Sequence, residues 1–373
     1  MEVAVIGGGI VGLFAARYLE EAGAEVRLYE AGPPGAGSVH AAGIIEPSTA
    51  YTTNTWAFLR RVRRFARHGT CTFRSVDPRW LLASARGFER PPGPTATPEI
   101  RELSAVSVDA YRRLAEERND FGYSPRGLLE LFDDPLHFAE QRDAALADRA
   151  FAPVEVREGG GRPGLFFPEV AWVDTRRLVE RVVREYRRTT VVRERVDALS
   201  SDGAATVGSE RRRFDAVVAC TGVSCRRLGV PLTAVRGYGW QARLRGEYPS
   251  STIFVDRGIA VAPFEGSAKV TGGWDFDLGD DPARSAHVLS AIRRTVDVAE
   301  IGDFQQGARP CTPDGLPTVG RQERLVVATG GFRLGWSFGP GIARHAARLA
   351  LGLEGNAPFL ARFCGALRGG RLR

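Results

Sequence analysis

The residues best suited to chemistry stand at opposite ends of the chain. Near the start, Gly7, Gly9 and Gly12 fill a G-x-G-x-x-G spacing directly after the apolar run Val3-Ala4-Val5-Ile6. Such a turn suits a pyrophosphate: the first glycine permits a tight bend, the second lets the backbone approach, and the third lets helix and strand pack closely. The free N–H groups and positive dipole end of the following helix then face the phosphates. Glu30, about twenty residues on, is spaced to accept hydrogen bonds from a ribose diol. A bare glycine triplet is also an ordinary tight turn; strand, glycines, helix, second strand and terminal acid together point to a dinucleotide. At the far end, Arg309 lies in a stretch rich in Gly and Pro, residues 307–317. Arginine there can grip a carboxylate through two parallel hydrogen bonds, which lysine cannot match. A structural arginine bonded to loop carbonyls is the competing reading. Residues 329–341 hold a second glycine-rich stretch, whose N–H groups and helix start suit an electron-rich ring edge.

These groups need elements to position them. Residues 3–6 and 25–29 read as strands flanking a helix over 13–22, with Gly23 just past its end. Residues 31–38 are a loop by composition, and 39–47 have small residues at their centre, which would let backbone lie flat against a planar ring. Helices are expected over 55–67, 99–117, 135–149, 176–186 (capped by Asp174), 285–298 and 341–353. In the first of these, Trp56, Leu59, Val62 and Phe65 recur at helical spacing on a core-facing side. Strands are expected over 128–132, 190–193, 195–199, 214–220 and 325–329, with short antiparallel segments at 239–244, 252–255, 259–262 and 268–273. Residues 86–98 read as a linker-like loop, residues 159–161 as a break, and 307–317 as a rigid irregular loop. The α/β pattern of the start returns at the end, with a β-rich insertion between. The fold class is therefore α/β: a discontinuous Rossmann-like nucleotide domain over 1–80, 150–228 and 308–373. An α+β substrate domain with a mainly antiparallel sheet would take 81–149 and 229–307.

Bulk properties narrow the classes. The 373 residues suit about two domains, and 43% hydrophobic with 25% charged content is that of a folded soluble protein. No apolar run approaches the length of a membrane-spanning helix, and the chain opens on a strand, so a cytoplasmic location is expected. Five scattered cysteines and five isolated histidines support neither a disulfide framework nor a metal site. The net charge is +7, and Lys269 is the only lysine. Arginine clusters such as Arg211-Arg212-Arg213 alternate with acids elsewhere and lack interleaved aromatics, so they read as solvated faces and compositional bias, with no nucleic-acid partner. The basic helix around Trp56 and Arg60 leaves peripheral contact with an anionic membrane open; so is a homo-oligomer.

Taken together, the N-terminal fingerprint, Ala42-Gly43, the 214–222 strand and turn, Arg309-Pro310 with residues 312–315, and Gly330-Gly331 form one ordered pattern. It resembles the D-amino acid oxidase-like FAD oxidoreductases, especially D-amino acid dehydrogenases and glycine oxidase, over nearly the whole chain. The resemblance implies noncovalent FAD, with its adenosine on Glu30. Cofactor contacts would come from Gly7, Gly9, Ile10, Val11, Gly12, Glu30, Ala31, Ala42, Gly43, Ile44, Val196, Cys220, Thr221, Gly222 and Arg309. Gly331, Leu334, Gly335, Trp336 and Ser337 would surround the flavin pyrimidine ring. Substrate contacts would come from Arg309, which matches the carboxylate-gripping arginine, and from Arg236, Tyr238 and Trp336. The implied activity is oxidation of a small amino acid, D-proline or a related imino acid among them, by hydride transfer from the α carbon to flavin N5. Electrons would pass to a quinone, a dye or O2. Glycine, sarcosine and hydroxyproline stay open as substrates, as does a basic RNA-binding or RNA-modifying flavoprotein. The chain departs from many relatives at Phe332, where they carry histidine, and at Ala260, where glycine oxidase-like chains carry tyrosine. Cys311 lies closer to Thr312 than covalent flavin attachment in the family expects.

Overall fold

The computed structural model describes residues 1–46, 52–93, 95–147, 153–279 and 281–372. Two sheets organise it. The first has six strands, ordered Thr318–Gln322, Leu325–Thr329, Ala216–Ala219, Glu2–Ile6, Glu25–Tyr29 and Thr189–Val192. Its pairs are parallel except Thr318–Gln322 with Leu325–Thr329. Strands such as Val3-Ala4-Val5-Ile6 and Ala216–Ala219 are buried throughout, as unbroken apolar runs must be when a sheet is covered on both faces. The second sheet has eight strands, ordered Val298–Cys311, Thr233–Leu244, Ser267–Phe276, Ile259–Phe264, Ser251–Phe254, Leu128–Leu131, Arg162–Phe167 and Glu155–Gly159. Only the Ser251–Phe254 and Leu128–Leu131 pair is parallel. The α/β class with a mainly antiparallel second sheet is therefore the architecture observed.

Helices Ile10–Glu21 and Gly335–Ala350 lie on one face of the parallel sheet, and Ala96–Glu117 packs on Gly335–Ala350. Their contact depends on missing side chains. A Cβ on Gly341 would lie 2.1 Å from the Leu103 carbonyl oxygen, and one on Gly339 would lie 3.0 Å from Ile10. The Gly341 N–H donates to Ser107 Oγ at 3.0 Å, and that hydroxyl donates to the Leu103 carbonyl at 2.8 Å. Residues 96–117 thus pack on the parallel sheet's helices, although they fall within the stretch expected for the substrate part. The hairpin 155–167 sits on the antiparallel sheet although it falls within the stretch expected for the nucleotide part.

Several expected elements are revised. Val298–Cys311 is one long strand, so Arg309 sits on regular structure and not in an irregular loop. The strand is at the sheet edge, where Pro310 loses no ladder hydrogen bond, so proline does not mark a loop here. The last helix begins at Gly335 and ends at Ala350, earlier at both ends than expected, with Pro340 inside it. The helix expected over 285–298 is Ala283–Arg293, and Val298 already belongs to the strand. Gly159, Gly160 and Gly161 turn a hairpin, and only Ala198–Leu199 of the expected 195–199 strand forms. An unexpected helix, Pro78–Arg86, is capped by Asp77, whose carboxylate accepts the Arg79 N–H. In Trp56–Arg67 the buried side is Phe58, Val62 and Phe65, while Trp56 and Leu59 are exposed. Of the expected stretches, Pro47, Pro94, Asp148 and Arg149 lie outside the described residues.

Replacing Gly341 by alanine should cost about 1–3 kcal/mol, because neither helix backbone can yield to relieve the contact. A thermal melt unchanged from wild type would show that the crossing tolerates the methyl.

Candidate functional site

The C-terminal ends of the parallel strands open into a cleft of about 480 Å³. Gly7 closes the first strand at φ +100°, and a Cβ there would lie 2.5 Å from the Cys220 carbonyl oxygen. Gly12 lies so close above that turn that a Cβ would fall 1.8 Å from the Gly7 carbonyl oxygen. Gly9 starts the helix without a side-chain cap, and Ser38 Oγ accepts the Ile10 N–H at 3.0 Å. The Glu30 carboxylate is aimed by two backbone donors, the N–H of Gly8 at 2.6 Å and of Gly32 at 2.9 Å. A carboxylate still has lone pairs left for a diol after two such bonds. Gly7, Gly9, Ile10, Val11, Glu30, Ala31, Val196, Cys220, Thr221 and Gly222 line this cleft, together with Arg309, Gly331, Gly335 and Trp336.

Trp336 is fixed at both ends. Its indole N–H donates to the Ser38 carbonyl at 3.1 Å, and its own carbonyl accepts the Tyr111 hydroxyl at 2.8 Å. It forms a wall shared with a second, smaller chamber of about 120 Å³. Ala42, Gly43 and Ile44 line that chamber along with Glu46, Arg61, Glu130, Ala260, Trp274, Arg309 and Arg333. Gly43, at φ +76°, leaves no room for a Cβ beneath the Val173 carbonyl.

Arg309 stands where the two spaces meet, lining both. One guanidinium N–H donates to the Gly273 carbonyl at 2.7 Å, and the group lies over the Trp274 ring at 5.1 Å from its centroid. Gly237, a diagonal neighbour on the adjacent strand, makes the space: a Cβ there would be 2.3 Å from Nη2. Withdrawal from water lowers the Arg309 pKa to about 10, which still leaves it charged at neutral pH. Arg333 pairs with Glu46 at 2.9 Å in the same chamber. Glu130, which is 9% exposed, is pushed up to about 7, first by burial and then by the nearby Glu46 charge. His40 is buried against the cleft, and neither ring nitrogen has a hydrogen-bond partner among the described residues. Burial, with Arg309 and Lys269 nearby, lowers its pKa to about 3, so the ring is neutral.

Not every expected site residue reaches these spaces. Tyr238 is 1% exposed and its hydroxyl donates to Asp275 at 3.1 Å; Arg236, two residues earlier, lines neither space. The alternation of a strand puts both on the side of Thr233–Leu244 that does not meet Trp336. Leu334 is buried in the helix core, Ser337 Oγ accepts the Glu46 N–H at 2.9 Å, and Gly12 serves the packing below the cleft. Cys311 is fully buried and lines neither space. Polar residues at the site that were not assigned from sequence include Arg333, Glu46, Glu130 and His40. Arg333 is the one charge in the 329–341 stretch and Glu130 the one charge in Leu128-Leu129-Glu130-Leu131-Phe132, a legible signal in both cases. Nothing in the sequence separates His40 from the other isolated histidines.

A parallel sheet with a glycine turn, an acid at the second strand's tip, and a substrate-sized chamber beside the far end of the cleft define a flavin-type dinucleotide enzyme. The chain belongs to the FAD dependent oxidoreductase family, whose model matches residues 2–349. It is 35% identical over 364 residues to the D-proline dehydrogenase of Pyrobaculum islandicum, covering 97% of this chain and 99% of that one. Among solved structures, it shares its fold with iminodiacetate oxidase from Chelativorans sp. BNC1, with a TM-score of 0.69, 21% identity and coverage of 97% and 98% of the two chains. Glycine oxidase from Geobacillus kaustophilus aligns with a TM-score of 0.68, 20% identity and coverage of 96% and 97%. The residues present fit FAD: the aimed Glu30, the uncapped helix start and the unpartnered His40 nitrogens all border the one long cleft.

The raised Glu130 carboxyl has a stability consequence. Its pKa is about 7 when folded against an ordinary 4.5, so its ionisation opposes folding. Its favourable contribution is full below about pH 4.5 and is lost as pH rises through 7. Relative to wild type, a Glu130→Gln variant should gain up to about 3 kcal/mol between pH 5 and pH 9. Parallel denaturant curves for the two proteins at both pH values would contradict this.

Proposed function

We propose that this chain oxidises the amine of a small D-amino acid, with D-proline or a related imino acid foremost, to the imino acid. The observation that carries this reading is Arg309, a guanidinium held at the junction of the long cleft and the small chamber by Gly273 and Trp274. The similarity to a D-proline dehydrogenase along the full chain supports the substrate class. FAD, when bound, supplies the two-electron acceptor for the substrate Cα–H. Gly7, Gly9, Ile10 and Val11 would hold its pyrophosphate and Glu30 its ribose, with Gly331, Gly335 and Trp336 at the ring end. We infer that it is held without a bond to Cys311, which is closed off from the cleft.

Arg309 holds the substrate carboxylate by paired, charge-assisted hydrogen bonds and so orients the carbon to be oxidised. Its other guanidinium edge is occupied by Gly273, which stops the group from swinging. Arg333 adds no net charge to the chamber because Glu46 neutralises it. Trp336, pinned by Ser38 and Tyr111, keeps the wall between substrate and cleft in place.

On the outer side of Trp56–Arg67, Trp56 and Leu59 stand exposed beside Arg60, Arg63 and Arg67. That stripe supports peripheral contact with an anionic membrane surface, and with it a quinone-type acceptor. Among the described residues no helix is long and apolar enough to cross a membrane.

The direct test is anaerobic bleaching of the flavin by D-proline, D-alanine, glycine, sarcosine, hydroxyproline and lactate. Bleaching by a D-amino acid is expected, and bleaching by lactate alone would overturn the assignment. Arg309→Ala should raise the KM for the amino acid by about 100-fold or more with FAD still bound, since a charged hydrogen-bonding pair is lost. Arg309→Lys should recover only part of it. Unchanged kinetics would remove Arg309 from the substrate.

A further inference from the structure

The small chamber contains one group for which the reading above has no use. Glu130 lies on Leu128–Leu131, between apolar cross-strand neighbours, Ile253 on one side and Leu165 on the other. A strand so enclosed ordinarily carries apolar residues, and a buried carboxyl among them is costly unless something answers it. Among the described residues no group hydrogen-bonds this carboxyl, and it borders the same 120 Å³ as Arg309. The charged groups facing it come from three other elements: Glu46 beyond Ile44–Ile45, Arg333 before the last helix, and Arg61 on Trp56–Arg67. Arg333 and Glu46 satisfy each other, and the Arg61 guanidinium also donates to Gln141. A zwitterion entering with its carboxylate on Arg309 brings one further charge, an ammonium. Of the two carboxyls that line the chamber, Glu46 is paired with Arg333, while Glu130 forms no ion pair among the described residues.

We propose that Glu130 is the chamber's receptor for the substrate's amine: its carboxylate binds the ammonium and takes one proton from it, leaving the amine neutral when the carbon is oxidised. The step balances without electrons. An N–H bond breaks, an O–H bond forms on Glu130, the nitrogen keeps the lone pair, and the carboxyl later returns its proton to solvent. A neutral amine is needed because its lone pair becomes the second bond of the imine. The burial that raises the carboxyl's pKa to about 7 makes it a better match for an amine's proton than an ordinary exposed glutamate. The same placement sets the substrate class: a small molecule carrying a carboxylate and an ammonium on the same carbon. The oxygen isostere of proline, tetrahydrofuran-2-carboxylate, has the anion and the ring but nothing for Glu130 to bind.

This proposal rests on the reading that Arg309 holds an amino acid, and one set of measurements separates the two. The probes are D-proline as substrate and tetrahydrofuran-2-carboxylate as competitive inhibitor, each followed from pH 5.5 to 9.5 with the holoenzyme. In wild type, kcat/KM for D-proline should fall as pH drops through about 7, while the inhibitor should bind more tightly over the same range as the chamber loses a negative charge. In Glu130→Gln, kcat/KM at pH 8 should fall 100-fold or more, the limb near pH 7 should vanish, and the inhibition constant should stay within about three-fold of the wild-type value at low pH. Glu130→Asp should restore the limb in part. Equal weakening of both ligands, or a limb that survives the substitution, would overturn the role for Glu130 while leaving Arg309's intact. The opposed pH trends of the two ligands in wild type need no variant, so a poorly folding Glu130→Gln leaves the proposal testable. If no amino acid bleaches the flavin at all, it is the substrate reading that fails.

Discussion

The site depends first on a steric fact: at two positions there is no room for a β-carbon. Gly7 bends over the Cys220 carbonyl and Gly12 lies directly above Gly7, so the first strand, the first helix and the 216–219 strand meet at one point. That point is the floor of the cleft. Any side chain there would lift the helix away from the sheet, and the helix start at Gly9, which has no side-chain cap of its own, would no longer face the space that Glu30 borders. The acid's aim follows from the same contact, because Gly8, one of its two donors, belongs to the turn.

A second contact of the same kind joins the far end of the chain to the near one. Gly339 and Gly341 let the last helix lie against Ile10 and Leu103, and the beginning of that helix carries Trp336 to the wall of both spaces. The antiparallel sheet approaches from the other side. Gly239 and Gly307 admit the His40 segment across two of its strands: a Cβ at either would strike the His40 backbone or ring. Arg309 is two residues beyond Gly307 on the same strand. The long cleft and the small chamber are therefore brought together by backbone crossing backbone, and the polar side chains that border them are held by what those crossings allow.

The glycine turn, its acid and the buried parallel strands were legible because each has a local signature: spacing, a terminal carboxylate, an apolar run without charge. Arg309 stands out in the sequence as a candidate carboxylate grip, but the Gly-Pro composition around it suggests a loop. An edge strand tolerates that composition, and edges cannot be read from one segment alone. The start of the last helix was missed for a related reason. Three glycines and a proline within 335–341 argue against a helix by propensity, and packing against Ile10 and Leu103 outweighs that preference. The family resemblance alone puts Tyr238 and Arg236 near the substrate, but a strand's two sides diverge at every residue. Glu46, Glu130 and Arg333 come from three separate elements, so their convergence exists only after folding.

The single lysine of the chain adds a last point. Lys269 is 3% exposed, its ammonium bonded to the Val39 carbonyl and to Gln305, and its pKa is lowered to about 8 by burial. All side-chain cations on the described surface apart from histidine are therefore guanidinium groups, which keep their charge far into the alkaline range. Raising the pH from 7 to 9 leaves that outer coat of positive charge as it was, while the interior, with Glu130 near 7 and Lys269 near 8, changes state. Attraction to anionic surfaces and the internal acid–base chemistry thus answer to different variables: salt concentration governs the first, and pH the second.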